Sequence, residues 1–505
     1  MSPHLDQIKV GQSIKEGPST VEKADVQQVA ASHLHSKKAI YEDAFVLVNA
    51  HGEAGEHAER KLIRKVDWFL MPLFYDKAVI GHAAVFGLRA DLGLENGLKY
   101  SETSIILYVG CIVGAYPMTY LVQRYPAAKV CSTLVATWSI VVLCTPACTS
   151  YAGIMVNRFV LGLLESAITP AFMLITGMWY TKQEQALRSS IWYSFSGGSN
   201  LISPVINWGL GHITGGPLKS WQWMFLVAGV VTLVWGVALW FIFPDNPVYA
   251  RGFSEEERAW LLQRTRRNNA GAENPKFLSY QFRECILSLH FWGLFLITLL
   301  VVTGGGTIAV FSSIIFKGMG FNKYESLLLN IPQGAIAFIS ILGSGWLGRK
   351  LPNARYHLIS IGCMPVILGC CLLWQLPTAS YGARIFGEYC LVLFSWPWTQ
   401  CIGLGTSNVA GSTKKSTMAA GVFIAYCIGS IAGPLLFDAK YAPRYDLSFS
   451  VLLAFYCVAA LLAQLVRFHL KRENDRRDRE YGPPSDLHGL EDRTDRENTN
   501  FRYSL

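Results

Sequence analysis

The sequence predicts an all-α polytopic membrane protein of about twelve transmembrane helices arranged as two halves of six. Composition is the first reason. Of 505 residues, 51% are hydrophobic and only 16% charged, with a positive mean hydropathy, whereas soluble domains carry about a quarter charged residues. The second reason is pattern: apolar runs of membrane-spanning length recur from about residue 66 to about residue 470, between polar ends. The third is charge placement. Arg124 and Lys129 follow the second run, Lys182 and Arg188 the fourth, and a basic linker the sixth. Arg349, Lys350 and Arg355 follow the eighth, and Lys414 and Lys415 the tenth, while only Lys219 follows the fifth. Basic loops mark the cytoplasmic side, so both termini are expected there and the number of spans is even.

The net charge of +9 therefore describes topology and not a nucleic-acid face, and no nucleic-acid partner is expected. The twelve cysteines are scattered through apolar runs without a paired C-x-x-C, so neither a metal nor another cofactor is expected. No pairing of Cys144 with Cys148 is expected either.

In chain order, residues 1–65 are polar, lack the apolar core of a secretory signal, and read as a disordered, solubilising cytoplasmic tail, a reading preferred over one that ends in a short amphipathic helix at 58–66. Residues 66–243 form the first half. Its first span, 66–88, is barely long enough to cross about 30 Å of hydrocarbon and carries Asp76 and Lys77 at its middle. The second span, 104–121, ends in Q-R-Y-P-A-A-K, with Gln123, Arg124 and Lys129. The third covers 128–148, the fourth 151–180, the fifth 186–212 and the sixth 221–243. The fifth contains S-F-S-G-G-S-N, suited to close packing, and its Asn200 and Asn207 either line a cavity or bond between helices.

P-D-N-P closes the first half, and residues 244–287 form a charged cytoplasmic linker in which S-E-E-E at 254–257 reads as a helix start. Residues 288–470 repeat the plan. The seventh span, 291–316, holds Thr303 and the run Gly304-Gly305-Gly306, expected to bend or unwind it. The eighth, 326–347, holds Asn330 and Gln333 and ends at Arg349-Lys350, the counterpart of Gln123-Arg124. The ninth to twelfth cover 357–376, 385–406, 417–437 and 447–470, and residues 471–505 read as a disordered cytoplasmic tail.

The fourth span carries the sharpest functional signal, N-R-F-V-L-G-L-L-E, with Arg158 and Glu165 inside an apolar run. Seven residues are about two turns, so the two side chains share a face about 10 Å apart. Ionisable groups inside a bilayer cost roughly 3 kcal/mol or more on insertion scales and mark function by default. The competing reading is a structural pair that ties two helices together.

R-F-V-L-G-L-L-E, Pro170 and W-Y-T-K-Q-E-Q-A-L-R together resemble the fourth helix and following loop of anion:cation symporters of the major facilitator superfamily. The resemblance is closest to the fungal allantoate-permease branch. Y-D-K-A in the first span, T-S-N-V-A-G-S-T-K-K at 406–415 and G-S-I-A-G-P-L-L-F in the eleventh are similar to motifs of that branch. The resemblance implies the major facilitator fold, two six-helix bundles related by a pseudo-twofold axis, and proton-coupled uptake of a small organic anion, allantoate-like or nicotinate-like, by a plasma-membrane monomer. It further implies that Asp76, Lys77, Arg158 and Glu165 bind substrate and couple the proton. Asn200, Asn207, Thr303, Asn330, Gln333 and Asn408 are candidate cavity groups. Gln123, Arg124, Lys129, Arg349, Lys350, Lys414 and Lys415 are candidate gating-loop groups, although plain positive-inside charge explains such residues equally. The chain departs from the branch where members carry further apolar residues between Pro72 and Tyr75, so an abnormally short first helix is expected. Ser430 and Leu435 also replace more polar residues of the branch. A transport-inactive sensor or non-functional paralogue is the alternative these departures keep open. An enzyme is not expected, since no G-x-S-x-G or H-x-x-E-H is present.

Overall fold

The computed structural model describes residues 79–95, 98–180, 182–213, 216–242, 252–266, 278–351, 353–377, 380–437, 444–482 and 493–505. Asp76, Lys77, the stretch from Pro72 to Tyr75 and residues 58–66 lie outside the described residues. Among those described there are helices and connecting turns and no strand.

Span 1 enters as Val79–Ala83, widens into a π turn at Ala84–Leu88 and ends at Arg89–Asp91. Gly87, at φ +109, supplies the left-handed backbone that the turn needs. Spans 2 and 3 are Lys99–Arg124 and Ala127–Cys144. Span 4 is two pieces, Tyr151–Glu165 and Ile168–Trp179, and spans 5 and 6 are Lys182–Gly211 and Ser220–Ile242. In the second half, span 7 is Leu289–Gly318 and span 8 is Asn330–Lys350, entered through a short helix, Lys323–Leu328. Span 9 is Arg355–Gln375, and span 10 is again two pieces, Tyr381–Leu391 and Ser395–Ser407. Spans 11 and 12 are Ser412–Leu436 and Asp446–Tyr481. Eight of the described helices are long and apolar enough by themselves to cross a bilayer. The pieces of spans 4 and 10 are not, because each span is interrupted.

Packing repeats between the halves. Span 3 lies along span 6 as span 9 lies along span 12, and span 2 packs on span 4 as span 8 packs on span 10. The halves meet where span 5 packs on span 8 and span 2 on span 11, which are equivalent pairs under a twofold exchange. Close approach depends on small residues, because lipid tails offer no hydrophobic gain and van der Waals contact must hold helices together. A Cβ on Gly162 of span 4 would stand 1.9 Å from the Leu107 carbonyl oxygen of span 2. Gly162→Ala is therefore expected to lower stability by about 1–3 kcal/mol, read as a lower melting temperature in detergent. Gly209→Ala, whose Cβ would have nothing within 4 Å, should leave melting unchanged; equal melting of the two variants would sink the packing argument.

Two expectations are corrected. Gly304-Gly305-Gly306 does not unwind span 7, which is one continuous helix from Leu289 to Gly318. Added Cβ atoms there would come within 2.3 Å of the Tyr456 hydroxyl, 2.2 Å of the Phe394 ring and 2.8 Å of the Ser430 backbone. The glycines receive three neighbouring spans on successive sides of the helix.

Residues 471–505 are likewise not a disordered tail over their described part. Span 12 continues to Tyr481, and residues 493–505 fold back on the bundle. The Ser504 amide and carbonyl bond reciprocally with Asn408, at 2.8 Å each way. The Arg355 amide donates to the Leu505 carbonyl at 2.8 Å. Lys414, 2% exposed, is held at 2.7 Å by both Glu284, from the linker helix Ser279–Ile286, and Asp495. Tyr503 donates to Asp495 at 2.7 Å, and buried Arg477 donates to the carbonyls of Asp495 and Phe501. Burial pushes the Cys285 thiol beneath this cluster up to about 12, against the opposing pull of Lys414. The linker's other described helix, Glu255–Arg266, starts as expected, with Ser254 and Glu257 exchanging side-chain bonds to each other's amides.

Candidate functional site

Span 4 begins at Ser150, whose hydroxyl accepts from the Gly153 amide at 3.2 Å. Its first piece is regular from Tyr151 to Glu165, so Arg158 and Glu165 share a face two turns apart. After Glu165 the hydrogen-bond ladder is interrupted, because Pro170 has no N–H for the Ser166 carbonyl, while Ser166 and Ala167 keep right-handed helical dihedrals. Glu165 thus stands beside this interruption, on the last residue of the first piece.

Arg158 is 4% exposed, and its guanidinium lies 5.2 Å from the centre of the Phe225 ring of span 6. Its charge also reaches Tyr100, whose hydroxyl donates to the Val310 carbonyl of span 7 at 3.1 Å. Glu165 is half-buried and within electrostatic reach of Tyr426 of span 11. Tyr426 is the centre of an aromatic set that joins the halves. It stacks on Trp398 of span 10 at 5.1 Å and meets Tyr108 of span 2 edge-on at 6.0 Å. Trp398 in turn meets Tyr193 of span 5 at 6.2 Å. Arg158 is thus set against spans 2 and 6 of the first half, and Glu165 towards Tyr426 and the aromatic faces contributed by both halves.

On the face where spans 1 and 2 connect, the halves are sealed together. His212 stacks on Tyr324 at 4.2 Å, Phe86 meets the same ring at 5.4 Å, and the Tyr324 hydroxyl donates to the Gly211 carbonyl at 3.1 Å. At the opposite face, Ser189 and Ser190 of span 5 and Gly345, Gly348 and Gln400 of spans 8 and 10 line a crevice between the halves.

The remaining expected residues fall in different places. Asn207 bonds buried His82 of span 1 at 2.9 Å and Ser203 at 3.1 Å, which is interhelical bonding and not a cavity wall. Asn200 bonds back to the Ser196 carbonyl, and its backbone packs against Gly334 where spans 5 and 8 meet. Thr303 is fully buried beneath span 11 and bonds to the Leu299 carbonyl. Asn330 bonds Ser313 and the carbonyls of Ser326 and Leu327, stitching the entry of span 8. Gln333 bonds Ser312 at 3.2 Å inside the second bundle. Asn408 belongs to the docked C-terminal segment and not to a cavity. Of the loop residues, Lys129 donates to the Trp240 carbonyl and lies 4.9 Å from that ring. Arg349 and Lys350 are exposed, with Lys350 over Trp346. Lys414 is buried in its ion pairs and Lys415 is half-buried beside it. The side chains of Gln123 and Arg124 lie outside the described residues.

Sequence reasoning missed Tyr108, Tyr193, Trp398 and Tyr426, because aromatic residues in apolar runs look like lipid-facing or core residues. It also missed Arg384 and Glu388, although an Arg and a Glu one turn apart in an apolar run give the same kind of signal as Arg158 and Glu165. Beginning the tenth span at residue 385 cut the arginine off from its partner in the pattern.

Comparison with known proteins places this architecture. The description of the Major Facilitator Superfamily matches residues 72–434. The chain is 34% identical to the thiamine pathway transporter THI73 of Saccharomyces cerevisiae, over 88% of this chain and 86% of that one. It is 31% identical to the allantoate permease of the same yeast, over 90% and 88%. Among solved structures, the proton:xylose symporter XylE, bound to 6-bromo-6-deoxy-D-glucose, superposes with a TM-score of 0.59 at 14% identity. That match covers 84% of this chain and 95% of XylE, and the likeness is one of fold.

Proposed function

The chain belongs to the major facilitator superfamily, and from that premise we propose that it is a proton-coupled importer of a small organic anion. Arg158 binds the substrate carboxylate, and Glu165 carries the coupled proton. The observation that supports this reading most is the placement of Glu165, beside the Pro170 interruption of the span 4 hydrogen-bond ladder and within electrostatic reach of Tyr426 where the halves meet. A carboxyl there changes its surroundings whenever the halves rock, so its protonation can follow occupancy of the site. Arg158 stays charged and offers two parallel donors to a carboxylate. Bringing an anion into a negative interior costs about 2.3 kcal/mol per charge per 100 mV, so at least one proton must accompany it.

The allantoate permease relative favours a ureido acid as substrate, with a nicotinate-like carboxylate as second choice. Alternating access, a plasma-membrane location, a monomeric carrier and both termini in the cytoplasm complete the proposal. The proposal also takes in Asp76 and Lys77, which lie outside the described residues, as a second pair that couples the proton.

Expression in a yeast strain stripped of its own carriers, supplied with labelled allantoate or nicotinate, tests this directly. Uptake should collapse when a protonophore dissipates the pH gradient. Glu165→Gln should lose accumulation against a gradient yet retain exchange with preloaded substrate. Gradient-driven accumulation by Glu165→Gln would show that the coupling proton rides elsewhere.

A further inference from the structure

Span 10 holds a second pair of ionisable residues away from the site just described. Arg384 and Glu388 are one turn apart on the piece Tyr381–Leu391, 1% and 0% exposed. Spacing alone would make them an ion pair, but no salt bridge joins them. Arg384 turns to the end of span 9, where its Nη1 donates to the carbonyls of Leu373 and Leu376 at 3.0 and 3.1 Å. A helix C-terminus, with its unsatisfied carbonyls, takes up that positive charge.

Glu388 is left to a polar cluster built from three spans. Its Oε1 accepts from the Ser312 hydroxyl of span 7 at 2.9 Å. Gln333 of span 8 gives its amide hydrogen to the same hydroxyl at 3.2 Å. Asn330 and Ser313 bond to each other at 3.0 Å in the next layer. Oε2 is buried without a hydrogen-bond partner among the described residues. Arg384, although bonded elsewhere, still acts on this carboxyl electrostatically from one turn away; the other titratable side chains that face it are Cys370 of span 9 and Tyr389 of its own helix, both uncharged when protonated. Among the described residues no cation is bonded to it.

A bare carboxylate in such a place costs several kcal/mol even after relaxation, and a proton removes that cost. A purely structural role does not need an ionisable group, because glutamine would accept the same bond from Ser312 with no charge to bury. The two-half repeat adds a second argument. Span 10 is the counterpart of span 4, and Glu388, seven residues after Tyr381, stands at the level of Arg158, seven residues after Tyr151, so both halves bury an ionisable group at the same depth of this span.

We propose that Glu388 is a second proton-binding site of the transport cycle, loaded in the conformation described and discharged when spans 7, 8 and 10 part. On discharge the O–H bond at Oε2 breaks, the proton passes to water, and the electron pair stays on the carboxylate. The proposal rests on the reading of the protein as a proton-coupled carrier, but its first test does not need a substrate.

Infrared difference spectra of the full-length protein in phosphatidylcholine vesicles, taken between about pH 5 and pH 9, where buried carboxyls are documented to titrate, report protonated carboxyl groups directly. The wild type should show a carbonyl-stretch band that is lost in Glu388→Gln and moved in Glu388→Asp. Ser312→Ala, which keeps the carboxyl and removes its bond, should shift that band to higher frequency. Superimposable spectra of wild type and Glu388→Gln, or a band that does not respond to pH, overturn the proposal. In the allantoate and nicotinate uptake assay, gradient-driven accumulation should be lost in Glu388→Gln and restored in Glu388→Asp; unchanged accumulation in Glu388→Gln also overturns it. Should neither anion be taken up by the wild type, it is the anion-importer reading that fails, and the infrared band still decides whether Glu388 binds a proton.

Discussion

Arg158→Ala is expected to reduce anion uptake to background while the protein still reaches the membrane. Two charge-assisted hydrogen bonds to a carboxylate, at about 1.5–3 kcal/mol each, amount to roughly a hundredfold or more in affinity. The same residue is buried over Phe225, so a competing account makes it a packing element only. Arg158→Lys separates the two. It keeps the charge but not the planar fork, so a binding role predicts partial uptake at unchanged melting temperature. If Arg158→Ala takes up anion normally per folded molecule, the proposed substrate contact is wrong. If only the melting temperature falls, the residue is structural.

Lys414→Ala is expected to release the C-terminal segment. Lys414 is the shared cation of Glu284 and Asp495 in a nearly dry site, and removing one partner of a buried ion pair costs about 3–5 kcal/mol. The amides of Tyr503 and Ser504 are held by the side chains of Asn474 and Asn408, so their hydrogen exchange should accelerate together in the variant. Asp495→Asn, which leaves Glu284 to neutralise the lysine, should accelerate it less. Unchanged protection in Lys414→Ala would mean that the segment is held by its other contacts. Burial, reinforced by the neighbouring Asp495, raises the Tyr503 phenol above its ordinary value. Its contribution to docking is therefore complete below about pH 10 and is lost as pH rises beyond that, which the same exchange measurement carried into alkali would register.

Much of the architecture was legible because the bilayer leaves the chain few choices. Runs such as 221–243 and 447–470 have no water to satisfy their backbone and must be helices. Charged residues inside such a run stand out, which is why Arg158 and Glu165 could be singled out from one sequence. Asn207, Thr303 and Asn408 show the limit of the same reasoning. A polar side chain in a span can face a cavity, a neighbouring helix or a docked tail, and hydropathy is the same in all three cases. The triple glycine of span 7 was misread for a related reason. Glycine weakens a helix locally, but the Tyr456 and Phe394 side chains and the Ser430 backbone occupy the vacated space and the helix continues unbroken.

The sequence by itself determined that the chain is a bundle of membrane helices, how many halves it has and which span carries buried charge, since these follow from chain-local solvation and periodicity. Only the tertiary structure decided what those charges meet. It set Glu165 near Tyr426, turned Arg384 away from Glu388 towards the end of span 9, and gave Lys414 to Glu284 and Asp495. The physical reason is that pairing energies of buried polar groups depend on partners from distant parts of the chain, 130 residues away between Lys414 and Glu284, and no local pattern encodes that distance.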